Sequence, residues 1–355
     1  MEINKGIKKM QTSMEREIIE QTPLIAGLIQ KYVQTYAVVV DMPMNIKNIK
    51  IIASGSSYNC GLLGKKFFEL ISKVDTSVEF ASEFMADDYK VDPESLYFFI
   101  SQSGETYDTM CAAKKVKEAG AKTYAVVNNS SSSLYDLCDY KIDILAGEEK
   151  SIAATKSFTL SVCALYLCAL KIAQNKLMDV KEYIKDIPNI DKNLSILFDE
   201  IKNLDKTAEF LSKYKAFYVV GNNFNYAISK EASLKIKETT YIDVNSMPMG
   251  EFLHGHVATL NKIDTLIEII TGCASEFETK TISKIAKDYN PKSVVITDLD
   301  EDFGAKYTVS FPKFNDLLSR TLATIITIQL LALKIALKLK RNVDSPQGLS
   351  KVVTG

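Results

Sequence analysis

The chain is poor in histidine, in paired cysteine motifs and in net charge of either sign. Only two of its 355 residues are histidines, His254 and His256, and both fall in one polar turn. The six cysteines, Cys60, Cys111, Cys138, Cys163, Cys168 and Cys273, form no CxxC pair. Most lie among apolar residues, which predicts buried free thiols in a reducing cytoplasm rather than a disulfide framework. The 43 Lys and Arg residues are interspersed with 44 Asp and Glu, for a formal net charge of −1, so there is no electrostatic footprint for nucleic acid or an anionic membrane. The N-terminus, MEINKGIKKM, has no apolar h-region, and the most apolar late stretch, Leu317 to Leu339, is interrupted by Arg320, Gln329 and Lys334. Neither reads as an export signal or a membrane span. GxGxxG and GxxxxGK[ST] are both absent, which leaves a dinucleotide or P-loop nucleotide site without a motif. His254 and His256, with Glu251 nearby, lack a further ligand at a recognisable spacing, so no metal site is predicted.

What is present is a globular chain, 46% hydrophobic and long enough to bury two cores of similar size. Residues 10 to 36 have a helical period interrupted at Pro23, which predicts an N-terminal helix pair. The run Ile49 to Ala53 leads into Ser54-Gly55-Ser56-Ser57 and then an amphipathic helix from Tyr58 to Ser72. Leu96 to Ile100 leads in the same way into Ser101-Gln102-Ser103-Gly104-Glu105-Thr106, a helix from Tyr107 to Glu118 and a strand from Thr123 to Val127. Successive βα units predict a parallel sheet covered by helices, an α/β fold. A further helix and strand follow the Ser130 to Ser133 cluster, and Ser151 to Ser157 opens a long helix from Phe158 to Gln174. After a polar connection through Asp205 the pattern restarts: strand Ala216 to Val220 into Gly221, strand Thr265 to Ile270 into Thr271-Gly272-Cys273-Ala274, helix Phe277 to Lys287, strand Ser293 to Thr297. This is an internal duplication in which the second copy has lost the hydroxyl-rich turn.

Ligands of open parallel sheets bind outside the carboxyl ends of the strands, where helix N-termini offer unpaired N–H groups. Ser101, Gln102, Ser103, Thr106 and Thr109 add small donors there, and Ser57 and the Ser151 to Thr155 turn could converge on the same point, a site suited to an anion. The stretch from Gly221 to His256 carries both histidines and, at helical spacing, Glu231, Lys235 and Glu238; Glu231 and Lys235 are placed to pair across one turn.

The motifs SGSSYNCG, ISQSGETYDT, IAATKSF, KEASLKIKETTYID, GEFLHGH and SPQGLSKVVTG resemble, in order and spacing, the sugar isomerase (SIS) domain family, in the paired form that makes up the isomerase half of glutamine–fructose-6-phosphate aminotransferases. The resemblance implies two tandem SIS domains, each a doubly wound parallel sheet flanked by helices. The implied division is a helical lead-in over 1–40, a phosphosugar-binding domain over 41–190, a domain with the catalytic helix and histidine loop over 191–340, and a tail over 341–355. It implies that Ser101, Gln102, Ser103 and Thr106, with Ser57, bind the sugar phosphate, and that Ile152, Ala154 and Ser350 complete the sugar site. Glu238 is implied to move a proton between C1 and C2, with Glu231 and Lys235 arranging base and sugar. His254 aligns with a ring-opening histidine supplied by the neighbouring subunit, which implies a homodimer. Lys351 aligns with a lysine that meets the open-chain sugar at C2 and can form an imine. The sequence departs from the family where Ala154 stands for a serine, His256 for a proline and Gly348 for an asparagine, and in its ending Thr354-Gly355. No cofactor is implied.

The first strand starts at Ile49, so the sequence as given leaves no room for a glutaminase domain ahead of it. The leading expectation is therefore a phosphosugar isomerase of the amino-sugar type, which converts glucosamine-6-phosphate to fructose-6-phosphate and ammonia. A deglycase acting on a fructosamine-6-phosphate such as fructoselysine-6-phosphate is the second expectation. A non-catalytic phosphosugar sensor is the third, ranked lower because Glu238 is retained and no helix-turn-helix pattern is present.

Overall fold

Central strands of a parallel sheet are covered on both faces, so their sequences run apolar without alternation. Leu96–Ser101 does so, Thr265–Ile270 does so apart from Thr265 and Glu268, and every residue of both is buried. They form the middles of two five-stranded sheets in a computed structural model that describes residues 12–86, 90–261 and 265–351. The first sheet holds β1 (Asn48–Ala53), β2 (Asp75–Phe80), β3 (Leu96–Ser101), β4 (Lys122–Val127) and β5 (Tyr140–Asp143), in the order β2-β1-β3-β4-β5. The second holds β6 (Ala216–Gly221), β7 (Asp243–Pro248), β8 (Thr265–Ile270), β9 (Lys292–Thr297) and β10 (Tyr307–Ser310), in the order β7-β6-β8-β9-β10. All pairings within both sheets are parallel. The same spatial order in each half makes the chain a duplicated doubly wound α/β fold. In each copy the connections diverge between the first and third strands, which opens a crevice at their carboxyl ends.

The strands not foreseen are β2, β7 and β10. Each lies at a sheet edge; β2 and β7 mix buried with exposed positions and β10 has one buried position among half-buried ones, so none has the uninterrupted apolar run that marks its neighbours.

The N-terminal pair is α1 (Ser13–Ile19) and α2 (Gln21–Tyr32). The break falls at Glu20 rather than at Pro23, because proline is tolerated in a first helical turn, where its missing N–H has no partner to lose. Helix α3 (Gly55–Phe67) starts at Gly55 and so takes in the serine turn; a π-helical stretch, Phe68–Ser72, continues it. Helices α4 (Tyr107–Glu118), α5 (Lys156–Asn175), α6 (Leu204–Leu211), α7 (Phe224–Thr240), α8 (Glu276–Tyr289) and α9 (Leu317–Lys338) cover the sheets.

One apolar core runs through both halves, from Met14 and Ile51 through α5 and α9 to Ile269 and Val309, and smaller clusters fill the outer faces around Tyr97 and Phe99 and around Met249 and Phe252. Helices α5 and α9 are long and apolar enough to cross a membrane, and 89% and 83% of their most apolar stretches are buried inside the protein. They are core helices. Cys60, Cys138, Cys163 and Cys168 are buried free thiols, Cys111 is half-buried and Cys273 is exposed.

Candidate active site

The first crevice is built from the turn after β1. Ser54 is extended at φ −127° at the N-cap position of α3, without a side-chain capping bond, and Gly55 takes φ +56°, a conformation open to glycine without strain. Ser56 and Ser57 are thereby carried onto the first helical turn. Ser57 faces the crevice, and the Ser56 hydroxyl donates to Glu231 Oε1 at 2.9 Å.

The turn after β3 folds around Ser101. Its hydroxyl accepts the Gly104 N–H at 3.1 Å and lies 3.0 Å from Thr106 Oγ1. Gly104 sits at φ +69°, and a Cβ there would overlap the Ser132 hydroxyl. The turn is closed from outside by Glu105, which accepts the Ser133 N–H at 2.7 Å. Gln102, Ser103 and Thr106 are left facing the crevice. Ser101 is not among them: it is buried, at 3% exposure, and shapes the turn from beneath.

Helix α7 supplies the opposing charges. Glu231, Lys235 and Glu238 lie on one face at i, i+4 and i+7, and the first two are fully buried. Lys235 Nζ lies 3.3 Å from Glu231 Oε1 and 2.8 Å from Glu238 Oε2. Asn59 donates to Glu231 Oε2 at 2.9 Å. Burial pushes the Glu231 carboxyl above its ordinary range, opposed by Lys235 and Asn59. Burial works against the Lys235 ammonium, but Glu238 and Glu231 outweigh it and hold its pKa above the usual lysine value. Glu231 and Lys235 are thus a sealed pair, and Glu238, with 23% of its side chain exposed, is the member that reaches the crevice.

The chain's last described residues form the roof. Asp344 accepts the N–H groups of Ser13 and Met14 at 2.8 and 2.9 Å, and its carbonyl accepts the Ile152 N–H at 3.0 Å. The Gln347 N–H donates to the Tyr241 hydroxyl at 2.7 Å. Lys351 Nζ then reaches Glu149 Oε2 and the Ser151 carbonyl, each at 2.6 Å. Glu149 also accepts the Ser157 hydroxyl at 2.7 Å and the Thr155 and Ser157 N–H groups at 2.9 and 3.1 Å. Burial alone would raise its carboxyl, yet Lys351, Ser157 and Thr155 together hold it below the ordinary carboxylate range. Glu149 drew no notice in the sequence because it stands in a polar loop with no periodicity. Glu17 is a second such residue, accepting the Ser151 hydroxyl and so fixing the same loop.

These walls enclose about 250 Å³, lined by Ser57, Gln102, Ser103, Thr106, Ile152, Ala154, Ser350, Lys351 and Glu238 among others. Of the residues expected there, the structure gathers all but Ser101, Thr109, which is buried in α4 at 1% exposure, the buried pair Glu231 and Lys235 behind the wall, and His254. His254 is exposed on a turn in which its N–H donates to the Glu251 carbonyl at 2.9 Å, and it does not line this chain's crevice. Gly255 takes φ +106° and His256 begins a 3₁₀ turn, so the histidine at the place of a proline is accommodated. The tail after Lys351, including Thr354 and Gly355, lies outside the described residues.

A family model for the SIS domain matches residues 44–171 and 210–334, one copy on each sheet. The chain belongs to the SIS domain family. Among curated SIS relatives, it is 32% identical over 353 residues to a glutamine–fructose-6-phosphate aminotransferase [isomerizing] of Campylobacter jejuni, covering 96% of this chain and 58% of that protein. The corresponding Aquifex aeolicus protein is 31% identical, over 96% of this chain and 57% of its own length. The chain thus spans a little over half the length of these relatives. Among solved SIS structures, the C-terminal domain of glucosamine-fructose-6-phosphate aminotransferase from Francisella tularensis superposes with a TM-score of 0.85 at 27% identity, over 96% of this chain and 100% of that one. A glucosamine-6-phosphate deaminase from Thermotoga maritima shares the fold, with a TM-score of 0.76 at 19% identity, over 96% of this chain and 99% of its own.

Proposed function

We propose that the protein is a phosphosugar isomerase of the amino-sugar type, which converts glucosamine-6-phosphate and water to fructose-6-phosphate and ammonia. The observation that carries this reading is the meeting of Glu238, Lys351 and the donors Ser57, Gln102, Ser103 and Thr106 around one small crevice. Relatives 31–32% identical to this chain are named glutamine–fructose-6-phosphate aminotransferase [isomerizing], which supports an amino sugar as the substrate.

In this reading the phosphate sits on the turn after β3 and the α3 N-terminus, which supply hydroxyls, an amide and unpaired N–H groups. Glu238 takes the proton from C2 of the open-chain aldose and returns it to C1, while O1 gains the proton that the C2 amine gives up, leaving a C1 hydroxymethyl group and a C2 imine. Lys235, at 2.8 Å, holds Glu238 in place for both steps. Water adds to the imine carbon and the nitrogen leaves as ammonia, with Lys351 on the roof placed to donate to the C2 substituent or to exchange with the imine. Ring opening falls to His254 of a second subunit. Its exposed position outside its own crevice supports donation across a homodimer interface, and an imidazole suits proton transfer at neutral pH.

The test is ammonia release from glucosamine-6-phosphate by the folded protein, with fructoselysine-6-phosphate and hexose-6-phosphates assayed alongside. Release above an enzyme-free control is the expected result. No release from a folded dimer overturns the deaminase reading, and release of lysine from the fructosamine alone replaces it with a deglycase.

A further inference from the structure

The duplication creates a second crevice in the place equivalent to the first, and it is larger. It lies between the turn after β6 and the turn after β8, closed by the first turn of α9, and has a volume of about 440 Å³. The first crevice uses the same three elements of its own half: the turn after β1, the turn after β3 and the loop leading into α5. A ligand at a topological switch point is the general habit of open α/β sheets, so the fold offers the chain two such places.

The lining of the second is of a different chemistry. Asn222, Asn225 and Thr271 line it with amides and a hydroxyl, and Phe224 and Phe277 present rings; the Thr271 hydroxyl donates to Asn225 Oδ1 at 2.8 Å and Asn222 Oδ1 accepts the Met249 N–H at 3.2 Å, which leaves the amide N–H groups and the Thr271 oxygen's lone pairs to a ligand. Arg320, from α9, packs against Gly272: a Cβ at that position would come within 2.8 Å of Arg320 Cζ and Nε, so the glycine is what lets the guanidinium lie over the turn. Arg320 makes one long contact, 3.4 Å to the Phe314 carbonyl, and no ion pair among the described residues. The Asn222 Nδ2 donor is enclosed and has no acceptor. The lining carboxylate, Glu278, is occupied in a capping box, where Oε2 accepts both the N–H and the hydroxyl of Ser275 at 2.9 and 2.7 Å. Asp298, behind the turn, accepts the Gly272 N–H at 2.7 Å through Oδ1; its Oδ2 has no hydrogen-bond partner, and Arg320 attracts the carboxylate from beyond ion-pair distance. An arginine with no ion pair within 4.0 Å among the described residues and a sheltered amide donor, facing the N-terminus of the 17-residue α7, make a crevice in which donors are available to an anion.

We infer that this second crevice binds a phosphorylated sugar or polyol, its phosphate on Arg320 and Asn222 and its hydroxyls on Asn225 and Thr271. No counterpart of Glu238 or Lys351 lines it, so it holds its ligand without turning it over.

Cys273 gives the test a reporter, because it lines this crevice and is the exposed cysteine of the six. The full chain is alkylated with iodoacetamide with and without fructose-6-phosphate, glucosamine-6-phosphate or inorganic phosphate, and labelling at Cys273 is read by peptide mass spectrometry. A bound ligand at ten times its dissociation constant slows labelling about tenfold. Arg320→Ala is expected to abolish the protection and Arg320→Lys to restore part of it. Ser103→Ala, which weakens the first crevice, is expected to leave it intact. Absence of protection by every probe at millimolar concentration overturns the inference, as does protection that survives Arg320→Ala but is lost in Ser103→Ala. If Cys273 does not react in the free protein, calorimetric stoichiometry decides: two phosphosugars per chain support the site and one overturns it. Turnover is measured separately, so failure here leaves the reading of the first crevice standing or falling on its own assay.

Discussion

Lys351 Nζ lies 2.6 Å from Glu149 Oε2, joining the roof of the crevice to a carboxylate whose side chain is fully buried. The same carboxylate ties down the start of α5 through Thr155 and Ser157. Glu149 therefore positions the lysine and fixes the loop beneath it. Glu149→Gln keeps the shape and removes the charge that retains Lys351. We expect turnover to fall about a hundredfold, the scale of misplacing a reacting group by an ångström. Trypsin should also release the residues after Lys351 faster, since the lysine is no longer engaged. The sign with pH follows from the depressed carboxyl: its contribution is present above the ordinary carboxylate range and is lost as pH falls through the folded-state value. Tail cleavage in the wild type should rise on acidification and be pH-insensitive in the variant. Equal cleavage in both proteins would show that Glu149 does not hold the tail.

Glu238 is the carboxylate at the crevice wall, so its replacement separates an enzyme from a sensor. Glu238→Gln should lower the rate by about a thousandfold or more, as for loss of a general base, and leave phosphosugar affinity within a few-fold of wild type. Calorimetry and the ammonia assay together read the two quantities. A variant that binds and turns over like the wild type removes Glu238 from the chemistry.

The buried pair behind it carries a structural prediction. Lys235→Met leaves Glu231 enclosed with no cation, and breaking a buried pair from one side costs about 3–5 kcal/mol. Changing both partners, Glu231→Leu with Lys235→Met, removes both charges and should recover much of that loss. Urea unfolding of the two single variants and the double variant gives the coupling. Additive losses would show that the pair contributes no interaction of its own.

The sequence made legible what depends on short-range pattern. Runs such as LYFFI and TLIEII announce central strands, and the small-residue turns that follow them announce the crevice. The motif order placed Glu238 and Lys351 in the same neighbourhood although they lie far apart in the chain. What stayed hidden depends on long-range contact. Glu149 and Glu17 carry no spacing signal, and their roles exist only once α1, the loop before α5 and the tail are brought together. Ser101 was read as a ligand donor because its hydroxyl sits in a donor-rich turn. The structure turns that hydroxyl inward, since the Gly104 N–H and Thr106 need a partner more than the cavity does. The edge strands β2, β7 and β10 were missed because half-exposed edges lack the apolar run that marks buried ones.

Glu268 is a buried carboxylate that the apolar run TLIEII conceals. It lies in the middle of β8 at 1% exposure, on the sheet face it shares by alternation with Leu266 and Ile270, and its Oε2 has no hydrogen-bond partner. Burial pushes its carboxyl up to about 8, from the usual 4.5. The folded protein therefore keeps this proton over a range in which the unfolded chain has lost it, so the unfolded state binds fewer protons and stability falls as pH rises from 4.5 towards 8. Above that range the carboxylate is charged in both states and this dependence ends. Glu268→Met fills a similar volume with no titrating group. It should raise stability at pH 8 by about 1–4 kcal/mol, the gain seen when a buried charge gives way to packed apolar atoms. At pH 4 the difference between variant and wild type should shrink, because both side chains are then neutral. Guanidinium unfolding at the two pH values reads the effect, and a stability difference that does not change with pH would mean that Glu268 does not titrate in this range.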